Sequence, residues 1–206
     1  MGAHAQNRGG GAAGLATFWN IPLDGRQSAA LLGYADLLIH WNRRINLTGA
    51  RSTAAIVSEH YPDAFALAKH VGGPARLVDV GSGGGLPAIP LALLRPELTI
   101  RLCEPIAKKV AFLRTAIRDL GISARVSLAV GRAEDLPAEA FEVAVSRATF
   151  EPEAWLAVGR RLVQPGGRVL ILTVPGSAVA SAGTGEVYAH GRRLLVEVQV
   201  ERERAG

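Results

Sequence analysis

Apolar positions follow a helical spacing before residue 74. Between Gln27 and Asn46 they recur every three to four residues, at Leu31, Ala35, Leu38, Trp41 and Ile45. This spacing predicts an amphipathic helix. A second helical region is predicted from Thr53 to Val71, with a kink or break at Pro62. The run Gly72-Gly73-Pro74 then predicts a boundary between helical and mixed structure.

Beyond this boundary, short apolar runs alternate with helical patterns. Strands are predicted at Arg76–Val80, Thr99–Cys103, Val126–Val130, Phe141–Ser146, Arg168–Thr173 and Leu194–Val200. Helices are predicted at Pro87–Leu94, Ala107–Leu120 and Pro152–Leu162. Such alternation predicts a parallel sheet with right-handed crossovers and helices on both faces, which is a doubly wound α/β fold.

The chain is expected to have three parts: a flexible leader (1–16), a small helical N-terminal subdomain (17–74) and an α/β domain (75–206). The leader is rich in Gly and Ala and lacks the apolar core of a signal peptide. No stretch reaches about 18 uncharged apolar residues, so we expect no membrane span. Cys103 is the only cysteine, which excludes an internal disulfide. We expect a cytoplasmic monomer that binds no metal.

The net charge of the chain suggests a polyanionic partner. Lys and Arg number 23 against 18 Asp and Glu, which gives a formal charge of +5 and a pI near 10. The segment from Arg95 to Arg132 contains eight basic residues and three acidic ones. This excess favours a nucleic acid, although an arginine-rich composition can also reflect codon usage. Lys108, Lys109, Arg114 and Arg118 suit a phosphate-binding surface or, equally, a solvated helix face.

The glycine-rich run between the first predicted strand and helix is the strongest chemical signal. Gly81, Gly83 and Gly85 alternate directly after Asp79-Val80. Glycines let the backbone turn sharply and approach a ligand where a Cβ would collide. The run lies at the carboxyl end of the sheet, where doubly wound folds bind their ligands.

Two nucleotide-like ligands could use this loop, and one nearby carboxylate, Asp79, discriminates between them. Glycine spacing alone also permits a dinucleotide, because Gly83, Gly85 and Ala88 satisfy its pattern. Asp79, however, would face a pyrophosphate with the wrong charge, whereas it can accept hydrogen bonds from the amino group of S-adenosylmethionine. Glu104 at the end of strand two is placed to accept the ribose hydroxyls, and Glu134 to flank an adenine. We therefore expect S-adenosylmethionine as the cofactor. The alternatives are a dinucleotide or other nucleotide site, and a structural turn beside unrelated acids.

Longer motifs resemble those of a known family. The run from Asp79 to Ala92 with Arg95-Pro96 is similar to the signature of the glucose-inhibited division protein B family, as are the stretches 41–48, 108–113 and 146–148. That family methylates N7 of a guanine in small-subunit (16S) ribosomal RNA. The resemblance, from about Leu31 to Leu172, implies a Rossmann-like S-adenosylmethionine-dependent methyltransferase with ribosomal RNA as its partner.

The resemblance also implies site residues. Contacts to S-adenosylmethionine would come from Gly81, Leu86, Ala133, Glu134 and Arg147. His60 and Asp63 match the family's His-x-x-Asp, here followed by Ala64 where Ser is usual. Thr173 or Val174 stands where the family tends to carry Lys. Both departures are expected on the substrate side of the cleft.

Guanine N7 carries no proton, so its methylation needs positioning rather than a strong base. Asp63 is a candidate for stabilising the positive charge that develops on the base, with His60 orienting either Asp63 or the base. The two residues could instead form a structural pair. Arg147 could bind the methionine carboxylate or an RNA phosphate, or make a structural ion pair. Alternatives for the whole chain are a methyltransferase for a small molecule or protein, an RNA-binding assembly factor without activity, and a nicotinamide dehydrogenase.

Overall fold

The computed structural model describes Gly14, Thr17 and residues 20–147, 150–189 and 192–201. The predicted leader, residues 1–16, lies outside this part of the chain except for Gly14. None of the helices in these ranges combines the length and apolar character needed to cross a membrane.

The first helix, α1 (Gly25–Asn42), begins at a reciprocal cap. The Gln27 amide donates to Asp24 Oδ1 at 2.6 Å, while the Asp24 amide donates to Gln27 Oε1 at 3.1 Å. The helix ends four residues before the predicted Asn46. At its end the Asn42 side chain accepts hydrogen bonds from the amides of Leu47 and Thr48, at 2.8 and 3.1 Å, which folds the chain back.

The second helical region changes type along its length. One turn at Thr53–Ala55 and a π-helical turn at Ile56–His60 lead into α2 (Tyr61–His70). Pro62 lies in the first turn of α2, directly after the π-helical turn. The break predicted at Pro62 is therefore found just before it, as the junction between the π- and α-helical turns.

Seven strands and three further α-helices follow in the described part of the chain, together with 3₁₀ turns at Ala133–Asp135 and Ala178–Ser181. The strands are β1 (Arg76–Val80), β2 (Thr99–Glu104), β3 (Val126–Val130), β4 (Phe141–Arg147), β5 (Val163–Thr173), β6 (Thr184–Tyr188) and β7 (Arg193–Gln199). The helices are α3 (Ala88–Leu94), α4 (Ala107–Asp119) and α5 (Pro152–Leu162).

The strand order is β3-β2-β1-β4-β5-β7-β6. The first five strands pair in parallel, as predicted, but β7 is antiparallel to both β5 and β6. The prediction of a parallel sheet is thus wrong for its last edge. The reason is that only a few residues separate β6 from β7, too few for the crossover that a parallel pair requires.

Alternate residues of the strands point to two cores. Leu77, Ile100 and Val143 join one core, which contains apolar residues of helices α1 to α4. Val78 and Ala144 join the second core, which contains apolar residues of α5. The protein therefore has three layers, and the helices before residue 74 bury their apolar faces in the same core as those of the α/β region. This arrangement packs the N-terminal helices on one face of the sheet, where Tyr34 of α1 reaches the glycine loop.

Candidate active site

The glycine loop turns sharply at the carboxyl end of β1, as its sequence predicts. Gly81, Gly83 and Gly85 all have positive φ, at 73°, 58° and 77°. The amides of Gly81 and Ser82 donate to the Cys103 carbonyl at 2.9 and 3.1 Å, which ties the loop to β2. On its other side, the Tyr34 hydroxyl on α1 donates to the Gly84 carbonyl. The loop is thus held from both neighbouring elements.

Two of these glycines face different surroundings. A Cβ on Gly83 would meet only the Gly81 carbonyl oxygen within 4 Å, at 3.8 Å. A Cβ on Gly85 would lie 2.5 Å from Ile89 Cδ1, which is too close for any real contact. Gly85 is therefore required by packing against α3, while Gly83 faces open space in which a ligand can lie.

Glu104, at the end of β2, holds the loop directly. Its buried carboxylate accepts the Gly83 amide at Oε2 over 2.8 Å and the Ile106 amide at Oε1 over 2.9 Å. Its place beside the loop agrees with the prediction, but the hydrogen bond to Gly83 was not predicted. Each oxygen keeps a second lone pair, so the carboxylate can still accept hydroxyl groups.

Asp79 has an unusual environment for a carboxylate. It is 1% exposed, and burial raises its pKa to about 7, against the opposing influence of the Ser82 hydroxyl and the Arg147 guanidinium. Its Oδ2 has no hydrogen-bond partner among the described residues. A buried acceptor without a partner is costly, so this atom favours a ligand that brings a donor.

The other predicted cofactor residues lie along the same edge of the sheet. Leu86 is buried directly after the loop. Ala133 is buried at the start of a 3₁₀ turn, Ala133–Asp135, that follows β3, and Glu134 is exposed beside it. Their contacts with a cofactor remain predictions.

Arg147 and His60 contact each other at the end of β4. Arg147 Nη1 lies 2.8 Å from His60 Nδ1. Because a guanidinium only donates, His60 Nδ1 must accept, and the ring proton is on Nε2, 2.9 Å from Thr48 Oγ1. Burial, together with the charges of Arg147 and Arg193, lowers the pKa of His60 to about 4. His60 is therefore neutral at physiological pH.

Asp63 lies beneath this pair and is completely buried. Its Oδ1 accepts the Tyr188 hydroxyl at 2.8 Å, and its Oδ2 accepts Arg193 Nη1 at 2.7 Å and Arg147 Nη1 at 3.1 Å. With no exposed surface, Asp63 does not itself offer an atom to a guanine, and its role in stabilising the positive charge on the base stays a prediction. His60 and Asp63 are linked through Arg147 Nη1, and the orientation of Asp63 or of the base by His60 stays a prediction.

A cavity of about 750 Å³, here called the arginine cavity, opens beside this network. It lies near the carboxyl ends of β4 and β5. Its walls are formed by Ser58, Glu59, Arg147, Leu172, Thr173, Val174, Tyr188, Ala189, Arg192 and Arg193. Thr173 lines this cavity, whereas Ala64 is fully buried in the core. That these two positions lie on the substrate side of the cleft stays a prediction.

Tyr188, Arg192 and Arg193 were not predicted as site residues. They come from the β6–β7 hairpin, and β6 was not predicted as a strand. Its alternation is weak, since Tyr188 is the only one of its five residues that is buried. No spacing in the sequence links these residues to Asp63.

Solved structures share this fold at low sequence identity. An O-methyltransferase family protein from Burkholderia thailandensis superposes with a TM-score of 0.56, at 16% identity, over 83% of this chain and 59% of that one. P. horikoshii TYW2, in complex with MeSAdo, gives a TM-score of 0.54 at 14% identity, over 70% of this chain and 63% of that one. These similarities concern the fold alone.

Sequence comparisons are more specific. A family model described as rRNA small subunit methyltransferase G matches residues 27–179. The ribosomal RNA small subunit methyltransferase G of Anaeromyxobacter dehalogenans (strain 2CP-C) is 38% identical over 173 residues, which are 81% of this chain and 80% of that protein. Its counterpart from Xanthomonas oryzae pv. oryzae is 40% identical over 177 residues, 84% and 82% of the two chains. The chain belongs to the rRNA small subunit methyltransferase G family.

Proposed function

We propose that this chain transfers the methyl group of S-adenosylmethionine to N7 of a guanine in small-subunit (16S) ribosomal RNA. Membership of the family supports the reaction and the class of substrate. The observation that carries the cofactor assignment is the buried Asp79 Oδ2, which lacks a partner among the described residues beside an open glycine loop. A sulfonium amino acid can supply the missing donor, whereas a pyrophosphate cannot.

The residues present fit this cofactor. Asp79 would accept the cationic amino group, directly or through water, and Gly83 would allow the ligand to lie against the backbone. Glu104 would accept the ribose hydroxyls with the lone pairs that its two backbone contacts leave free. The remaining contacts would come from Gly81, Gly85, Leu86, Ala133, Glu134 and Arg147.

When bound, S-adenosylmethionine supplies an electrophilic methyl carbon. Guanine N7 offers a lone pair and has no proton to lose, so the chain's own contribution is to hold the base in line with that carbon. The state of His60 agrees with a reaction that needs no base, because its Nδ1 is occupied by Arg147 and its pKa is near 4. Asp63 then serves as a positioning residue for Arg147 and Arg193 rather than as a catalytic one.

The direct test is methylation of small-subunit rRNA from cells that lack the modification. We expect transfer of labelled methyl from the donor, at a single position that maps to N7 of a guanine. Donor binding without transfer to RNA would overturn the proposal in favour of an assembly factor, and transfer only to protein or a small molecule would overturn the substrate class. If rRNA is the substrate, the enzyme works in the cytoplasm, and we expect it to do so as a monomer.

A further inference from the structure

The arginine cavity adjoins the proposed cofactor site but is separate from the glycine loop. In the sheet order, the glycine loop follows β1, Arg147 ends the adjacent strand β4, and the cavity continues past β5 to the β6–β7 hairpin. Arg147 therefore lies between the two. The part of the substrate that extends beyond the reacting base would reach the cavity.

Positive charge is concentrated in the cavity wall. Arg147 and Arg193 both pair with the carboxylate of Asp63, and the three side chains are 20%, 32% and 0% exposed. Glu59 accepts an Arg193 Nη2 hydrogen bond at 2.9 Å through its backbone carbonyl, not through its carboxylate. Two partly buried guanidiniums that share a carboxylate favour a further anion beside them.

Two consecutive arginines offer donors to such an anion. Arg193 is anchored by Asp63 and Glu59, which use two of its five N–H donors. Arg192 is exposed at the wall of the cavity, and its side chain makes no hydrogen bond or ion pair with any other residue in the described ranges. A fixed guanidinium beside an exposed one suits the planar, bidentate recognition of a phosphate.

We propose that the arginine cavity binds a backbone phosphate of the RNA next to the target guanine, with Arg193 as the fixed contact and Arg192 as the exposed one. This inference rests on the proposed function. The volume of about 750 Å³ is large enough for a nucleotide. Leu172, Val174 and Ala189 add an apolar wall against which a sugar or base can pack.

The test compares Arg192→Ala with Arg160→Ala as the control. Arg160 is an exposed arginine on α5, which packs on the face of the sheet opposite the N-terminal helices. The probe is a fragment of small-subunit rRNA that contains the target guanine, titrated over a range of salt. We expect Arg192→Ala to weaken binding about tenfold and to reduce the slope of log affinity against log salt by about 0.7 to 0.9. RNA binding by Arg160→Ala should equal that of the unaltered protein, and neither variant should change donor affinity or Tm. Arg192→Lys should restore the slope but only part of the affinity.

Three outcomes would overturn the inference: unchanged RNA binding in Arg192→Ala, an equal loss in both variants, or a loss of donor affinity that assigns the cavity to the donor. Methylation of the same RNA by the unaltered protein is measured alongside. If the unaltered protein methylates and Arg192→Ala binds RNA normally, only the cavity inference fails. If the unaltered protein binds RNA without methylating it, the proposed function fails, while the affinities still decide the cavity.

Discussion

Asp63 and Arg193 are 130 residues apart in the chain, yet Arg193 Nη1 lies 2.7 Å from Asp63 Oδ2. The contact joins α2 to the first residue of β7. Because Arg147 and Tyr188 donate to the same carboxylate, one buried side chain connects an N-terminal helix, the end of β4 and the β6–β7 hairpin. Asp63 thereby sets the positions of two guanidiniums that face the arginine cavity.

Asp63→Asn should damage both stability and turnover. The substitution keeps the shape of the side chain but removes the negative charge that two partly buried guanidiniums share. Breaking a buried ion pair costs about 3–5 kcal/mol of stability. We expect a lower free energy of unfolding and, well below the Tm, a lower kcat for methyl transfer because Arg147 and Arg193 lose their orientation. Asp119→Asn, which removes an exposed ion pair with Arg118, is the control and should change neither. A drop in Tm with unchanged kcat would reduce Asp63 to a structural role.

Asp79→Asn should stabilise the ligand-free protein at neutral pH while weakening cofactor binding. Burial raises the pKa of Asp79 from 3.8 to about 7, so between these values the folded state holds a proton that the unfolded state has released. The contribution of Asp79 to stability therefore falls as pH rises from about 4 to 7 and stays low above 7. Asn carries no such charge.

Urea unfolding at pH 4 and pH 8 measures this effect. At pH 8 we expect Asp79→Asn to be more stable than the unaltered protein, by on the order of 2 to 4 kcal/mol, and at pH 4 to differ little from it. Calorimetry at pH 8 should show donor affinity reduced at least tenfold. A variant that is less stable at pH 8, or that binds the donor normally, would contradict the assignment of Asp79.

The predictable parts of this protein are those with local signals. Val126–Val130 and Pro152–Leu162 were predicted with the bounds that are observed, because each has an apolar pattern that matches its period. The glycine loop was predicted for the same reason, since alternate glycines after a buried strand require a sharp turn. A local pattern of this kind needs no knowledge of what packs against it.

The parts that were missed depend on distant partners. The exposed strand β6 buries only Tyr188, so it has no apolar periodicity and was not predicted. Because β6 was not predicted, the antiparallel edge of the sheet was missed as well. The role of Asp63 was predicted from its motif, but its burial under Arg147, Tyr188 and Arg193 is a tertiary contact that no spacing encodes. The hydrogen bond from Gly83 to Glu104 was missed for the same reason, across 21 residues.

Gly83→Ala and Gly85→Ala should separate binding from stability. Both residues have positive φ, so each substitution carries a backbone cost on the order of 1 kcal/mol. At position 83 the new Cβ meets no side chain, and it fills space proposed for the cofactor, so we expect a small change in Tm and at least a tenfold loss of donor affinity. At position 85 the Cβ collides with Ile89, so we expect a much larger loss of stability. Equal effects of the two variants on Tm would contradict this division.

The basic face of α4 is a second candidate surface for RNA phosphates. Lys108 and Arg114 are exposed, and neither side chain has a hydrogen-bond or ion-pair partner within the described ranges. If they contact RNA phosphates, the double variant Lys108→Ala/Arg114→Ala should weaken rRNA binding and reduce the salt slope by about 0.7 to 0.9 for each phosphate that the protein no longer neutralises. Arg118→Ala is the matched control on the same helix, because Arg118 already pairs with Asp119 at 2.9 Å. Donor affinity should be the same in the unaltered protein and in both variants. An unchanged slope in the double variant would show that this surface is a solvated helix face that contacts no RNA phosphate. The arginine cavity would then remain as the proposed RNA contact.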